Sequence, residues 1–211
     1  MKTKIIAEIG LNFAYGTDKS KFLDNAKRLI DTAVIAGCDY VKFQKRNPDM
    51  CVPDAQKNKL KTTPWGEMTY LEYKWKIEFG KQEYDENDSY CKSLGIKWFA
   101  SVWDLESVDF MSQYCDITKI PSALIIENNL TCYARQKNNF LIISTGMSTE
   151  EEIEKAVEVC SPDVIMHTNS SYPSKESELN LNYIHHLKKK FGREVGYSGH
   201  EYGLSTTIAT V

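Results

Sequence analysis

The feature that most restricts the fold of this chain is an alternation. Short runs of β-branched and apolar residues recur along it, separated by stretches whose apolar residues fall at helical spacing. Consecutive parallel strands need a crossover long enough to carry the chain back, usually a helix, so this alternation specifies βα units and a parallel sheet. Seven runs read as strands: Lys4 to Gly10, Asp39 to Gln44, Ile96 to Ser101, Ile117 to Ile120, Phe140 to Ser144, Val164 to His167 and Glu194 to Ser198. The first helix is expected over Lys21 to Ala36, with Phe22, Ala26, Leu29, Ile30 and Ala33 at helical spacing before Gly37 stops it. Others are expected over Glu83 to Leu94, Leu105 to Tyr114, onward from Ser148-Thr149-Glu150-Glu151, Asn180 to Lys190 and Leu204 to Val211. The architecture expected is α/β, a TIM (β/α)-barrel with seven of its eight strands readable.

Between the second strand and the next helix, Lys45 to Lys81 is rich in Pro, Trp, Tyr and Lys and reads as an elaborated loop with one short helix around Thr69 to Phe79. Connections this long usually serve function.

Composition narrows the partners. A net charge of -3 with scattered basic residues offers no stripe for nucleic acid and no membrane-seeking helix, so small solutes are expected. The apolar run Ile5 to Ile9 is too short for a signal segment or a membrane span, which points to a cytoplasmic protein. The six cysteines form no CxxC pair and read as reduced fillers.

In a barrel of this kind the chemistry gathers where strands end and loops begin. Asn12 follows the first strand, Lys42 and Gln44 end the second, Ser101 and Asp104 the third, and Lys119 and Ser122 flank the end of the fourth. Ser144 and Thr145 end the fifth; His167, Asn169, Ser170 and Tyr172 follow the sixth; Ser198 and His200 close the seventh. A largely buried ammonium is costly unless an anion or carboxylate compensates it, so Lys42 and Lys119 are expected to clamp one anion, with neighbouring hydroxyls as neutral donors. His200, closing Gly196-Tyr197-Ser198-Gly199-His200 whose glycines let backbone approach a ligand, can offer a ring nitrogen to a metal or a hydrogen bond.

Read together, these segments resemble the sialic acid synthase family. The motifs are Ala7-Glu8-Ile9-Gly10-x-Asn12, Gly37-Cys38-Asp39-Tyr40-Val41-Lys42-Phe43-Gln44, Trp98-Phe99-Ala100-Ser101-Val102-Trp103-Asp104 and Lys119-Ile120-Pro121-Ser122. Ser144-Thr145-Gly146-Met147-Ser148, His167-Thr168-Asn169-Ser170-Ser171-Tyr172-Pro173 and Gly196-Tyr197-Ser198-Gly199-His200 complete the set. The resemblance implies condensation of phosphoenolpyruvate with the aldehyde of an N-acylaminosugar of the N-acetylmannosamine type, giving a sialic-acid-like nonulosonic acid and phosphate. It implies phosphoenolpyruvate contacts at Lys42, Ser101, Lys119, Ser122, Ser144, Ser170, Tyr172 and Ser198, a sugar-side position at Gln44, and a divalent metal, manganese or magnesium, at His200. Lys42 and Lys119 are thereby expected to be catalytic and Asn12 to bind substrate.

Three departures accompany it. After Asn12 the family usually has His, a variable residue often Glu, and Gly, whereas Phe13-Ala14-Tyr15-Gly16 stands here, and Glu8 is taken as the stand-in carboxylate. A sugar-contacting Glu is replaced by Leu124. The sequence is expected to be a synthase domain over residues 1–211 truncated before the eighth strand, without the family's second metal histidine or its C-terminal antifreeze-like domain; a homodimer is expected for the full-length protein. Two alternatives remain open: a synthase acting on another sugar phosphate, and a non-catalytic phosphoenolpyruvate-binding pseudo-synthase.

Overall fold

Seven parallel strands form among the described residues, where the seven runs were read, and their boundaries shift by at most two residues. The structure is a computed structural model describing residues 3–210. It divides into two units, Met1–Cys115 and Asp116–Val211.

The first unit runs β1 (Ile6–Gly10), α1 (Phe22–Ile35), β2 (Tyr40–Lys45), α2 (Pro48–Cys51), α3 (Asp54–Lys57), β3 (Leu60–Thr63), β4 (Gly66–Thr69), α4 (Tyr70–Ile77), α5 (Lys81–Leu94), β5 (Lys97–Val102) and α6 (Leu105–Met111). β2 is flanked by β1 and β5, both parallel to it, with Glu8 opposite Lys42 and Gln44 opposite Ser101. α1 buries Phe22, Ala26, Ile30 and Ala33 of the stripe read from its spacing and leaves Leu29 half-buried, and Gly37 adopts φ +76°, which a side chain would resist. Phe13, Phe22, Phe43, Phe79, Tyr84 and Trp98 form an aromatic core; Tyr84 stacks on Trp98 at 5.8 Å and Phe13 on Phe79 at 3.8 Å.

The long segment after β2 is more ordered than its sequence suggests. Asn47 caps α2 with Pro48 at its first turn, and Thr69 and Glu72 form a capping box on α4. Between them, β3 and β4 pair as an antiparallel hairpin. Most of its residues are exposed, so burial imposed no alternating pattern that could be read beforehand.

The second unit runs β6 (Ile117–Ile120), α7 (Asn128–Lys137), β7 (Phe140–Ser144), α8 (Glu150–Cys160), β8 (Val164–His167), α9 (Tyr183–Phe191), β9 (Glu194–Tyr197) and α10 (Ser205–Ala209). Its strands pair in chain order, all parallel. Thr149 caps α8 in a box with Glu152, close to the start expected from its hydroxyl and acidic residues. Helix α7 was not anticipated: it is largely polar and buries only Leu130, Thr131 and Ala134. α10 stops short of Val211, which lies outside the described residues.

No helix among the described residues is long and apolar enough to cross a membrane. The six cysteines are unpaired, and burial pushes the Cys51 and Cys91 thiols up to about 12, which suits inert fillers.

Candidate functional site

In the first unit, alternation along β2 sends Lys42 and Gln44 to the same side. Lys42 is buried, forms an ion pair with Glu8, and donates to Ser101 Oγ at 2.9 Å. Its side chain is 8% exposed and that of Glu8 48%, so the pair sits at the rim of the buried region with its carboxylate towards solvent. An ammonium so placed is compensated at rest and open to a second anion. Asn12 Nδ2 donates to the Glu8 carbonyl at 3.4 Å, so it supports this strand end.

Two residues that sequence reasoning missed complete the surroundings. Arg46 donates to Gln44 Oε1 and lies over the Trp103 ring at 4.5 Å. Glu78, whose side chain is 2% exposed, accepts from Lys45 Nζ at 3.0 Å and from the Arg46 backbone N–H at 3.1 Å. Burial raises the Glu78 pKa above its ordinary value, against the pull of Lys45 and Arg46. Arg46 continues the every-second-residue series of Lys42 and Gln44, a signal that could have found it; Glu78 has none. Asp104, read as a strand-end polar residue, is an anchor: it accepts from the backbone N–H groups of Asn47 at 2.6 Å and Ser107 at 2.7 Å.

In the second unit, Lys119 is buried on β6, as a charge-bearing site residue was expected to be. Ser122 Oγ accepts from the Gly146 N–H at 3.0 Å. A side chain at residue 146 would meet Ser122 Oγ at 3.0 Å and overlap Ser170 Oγ, so both hydroxyls crowd the Gly146 backbone and leave no room for a Cβ. Ser144 Oγ is buried and has no hydrogen-bond partner among the described residues. Such an orphaned donor is costly and is what a polar ligand would satisfy. Ser198 is half-buried, and its backbone N–H donates to the His167 carbonyl at 2.9 Å. His167 is a core residue, with Nε2 2.7 Å from the Leu179 carbonyl.

His200 is held by two neighbours. Its Nδ1 lies 2.6 Å from the Asn169 carbonyl and its Nε2 2.7 Å from the Tyr172 hydroxyl, and the Tyr172 ring stacks on it at 4.0 Å. Both ring nitrogens are thus engaged. No group of three or more His, Cys, Asp or Glu suited to a metal occurs among the described residues. The side chains present do not by themselves make a metal site.

A model of the NeuB family matches residues 29–211. The chain belongs to the NeuB family. It is 34% identical, over its whole length and 64% of the relative's, to an N,N'-diacetyllegionaminic acid synthase of Campylobacter jejuni. It is also 34% identical to an N-acetylneuraminate-9-phosphate synthase of Drosophila melanogaster, over 98% of this chain and 56% of the relative. The crystal structure of an N-acetylneuraminic acid synthetase from Leptospira borgpetersenii, bound to citrate, matches with a TM-score of 0.84 at 28% identity, over 98% of this chain and 68% of that one. The chain therefore spans a little over half to about two thirds of these relatives. Phe13, which follows Asn12, is 1% exposed, buried among Phe22, Phe43 and Phe79, and serves the core.

Proposed function

We propose that the protein is a synthase that condenses phosphoenolpyruvate with an N-acylaminosugar aldehyde on a (β/α)-barrel scaffold. The observation that carries this is the buried Lys42 ammonium, held between Glu8 and Ser101 at the rim of the first unit. The names of the relatives support the substrate class. Lys42 with Ser101 in the first unit, and Lys119 with Ser122, Ser144, Ser170, Tyr172 and Ser198 in the second, are the groups proposed to hold phosphoenolpyruvate.

Their chemistry suits the reaction. Cationic and hydroxyl donors neutralise the phosphate and carboxylate while the phosphoenolpyruvate methylene carbon forms a bond to the aldehyde carbon. The aldehyde oxygen takes up a proton, water adds to the resulting electron-poor carbon, and the carbon–oxygen bond to phosphate breaks. Glu8, beside Lys42 and half exposed, is the carboxylate that accepts the proton water gives up.

A divalent metal belongs to the proposal through His200, and would act as a Lewis acid on the aldehyde oxygen. The described residues do not complete such a site, so no step above depends on it. The engaged nitrogens of His200 favour a second reading, a protein that binds phosphoenolpyruvate without turnover.

One assay separates them. Incubation with phosphoenolpyruvate, manganese and N-acetylmannosamine is expected to release phosphate only when both substrates are present. Release from phosphoenolpyruvate alone would sink the synthase, and calorimetric binding without release would favour the second reading. Substituting sugar phosphates as acceptors tests the related synthase alternative, and analytical ultracentrifugation tests the proposed homodimer.

A further inference from the structure

Arg46 lies just past the end of β2, two residues beyond Gln44. Its side chain is 10% exposed, its Nε is 3.9 Å from Glu78 Oε2, and its Nη2 donates to Gln44 Oε1. An arginine has five N–H donors and no acceptor, so the only atom of the Gln44 amide that can pair with it is the carbonyl oxygen. The amide orientation is thereby chemically forced, and the Nε2 donors must turn away from Arg46.

They turn towards Gly10. A methyl group on Gly10 would sit 3.3 Å from Gln44 Nε2 and 2.7 Å from Glu8 Oε1, so the amide donors and the carboxylate border the same small space. The backbone beneath Gln44 is fixed as well: its carbonyl accepts from the buried Tyr84 hydroxyl at 2.9 Å. Arg46 is held in turn by Trp103 against its guanidinium and by Glu78 on its backbone N–H.

We infer that Arg46 is a positioning residue for the acceptor sugar, locking Gln44 so that its N–H donors receive a hydroxyl or acyl carbonyl oxygen of that substrate. The inference rests on the synthase reading and on Gln44 as its sugar-side residue. Arg46 itself touches no reacting atom. Without it the amide rotates, and half its orientations present an oxygen where a donor is needed.

The test is steady-state phosphate release, varying acceptor at saturating phosphoenolpyruvate and the reverse. Arg46→Met keeps the apolar stem over Trp103 and removes the donor. It is expected to raise the acceptor KM about tenfold, with the phosphoenolpyruvate KM within about twofold. Arg46→Lys, also a donor without an acceptor, should stay within about threefold of wild type. Gln44→Glu retains the Arg46 contact but presents no donor, and should raise the acceptor KM about as much as Arg46→Met. It carries the test if Arg46→Met does not fold.

An unchanged acceptor KM in Arg46→Met or Gln44→Glu overturns the inference. So does an equal rise in both KM values, or an Arg46→Lys loss as large as that of Arg46→Met. Wild-type turnover with any of these results removes this inference alone, whereas a wild type that binds phosphoenolpyruvate and never releases phosphate removes the synthase reading and this inference with it.

Discussion

Glu8 and Lys42 face each other on adjacent parallel strands and close an ion pair whose two ends differ sharply in solvent access. Removing the ammonium takes away one of the two lysines proposed to compensate the anionic substrate. Lys42→Met is expected to weaken phosphoenolpyruvate binding at least about 30-fold by calorimetry, since truncating a buried charged partner costs about 2–5 kcal/mol. Glu8→Gln should instead lower kcat by about 100-fold while binding survives, as loss of a proton acceptor does. Equal losses of binding in both variants would show that Glu8 only supports Lys42.

Ser144 separates ligand binding from stability. Its hydroxyl is buried without a partner among the described residues, so Ser144→Ala removes an unsatisfied group. Thermal stability should hold or rise by about 1 kcal/mol, while phosphoenolpyruvate affinity falls about tenfold. A clear loss of stability in differential scanning calorimetry would mean that the hydroxyl serves the free protein.

Phe13 follows the strand-end Asn12, and it behaves as core. Phe13→Ala should cost about 3–5 kcal/mol in urea unfolding, because it leaves a cavity among Phe22, Phe43 and Phe79. A cost below about 1 kcal/mol would show that Phe13 is not part of the core.

Glu78 predicts a pH dependence with a definite sign. Its folded pKa is raised above the ordinary value of 4.5, chiefly by burial. Above that ordinary value the folded state therefore holds a proton that the unfolded state releases, and stability falls as pH rises through the raised pKa. The stability of wild type relative to Glu78→Gln should accordingly decline as pH is raised upward from 4.5. Chemical unfolding at a series of pH values checks this, and a wild-type advantage that grows with pH would contradict it.

Much of the fold was legible because strand and helix periodicities are local. The stripe Phe22, Ala26, Ile30 and Ala33, the stop at Gly37 and the cap before Glu150 each depend on residues within a few turns. The β3–β4 hairpin and α7 were not legible, because exposed or largely polar elements carry little burial pattern. The strand-end serines and lysines could be named because a parallel α/β architecture places chemistry at strand ends.

By itself, then, the sequence determined the βα alternation, the strands and most of the residues proposed to hold substrate. Only the tertiary structure decided their environments. The pairing of Lys45 and Arg46 with Glu78 joins residues more than 30 positions apart. The engagement of His200 by Asn169 and Tyr172 also spans a long stretch of chain. That Phe13 is a core residue likewise depends on Phe79, far along the chain. Periodicity reports which face of an element is apolar; which distant group meets that face is set by strand register and loop packing, which no local pattern encodes.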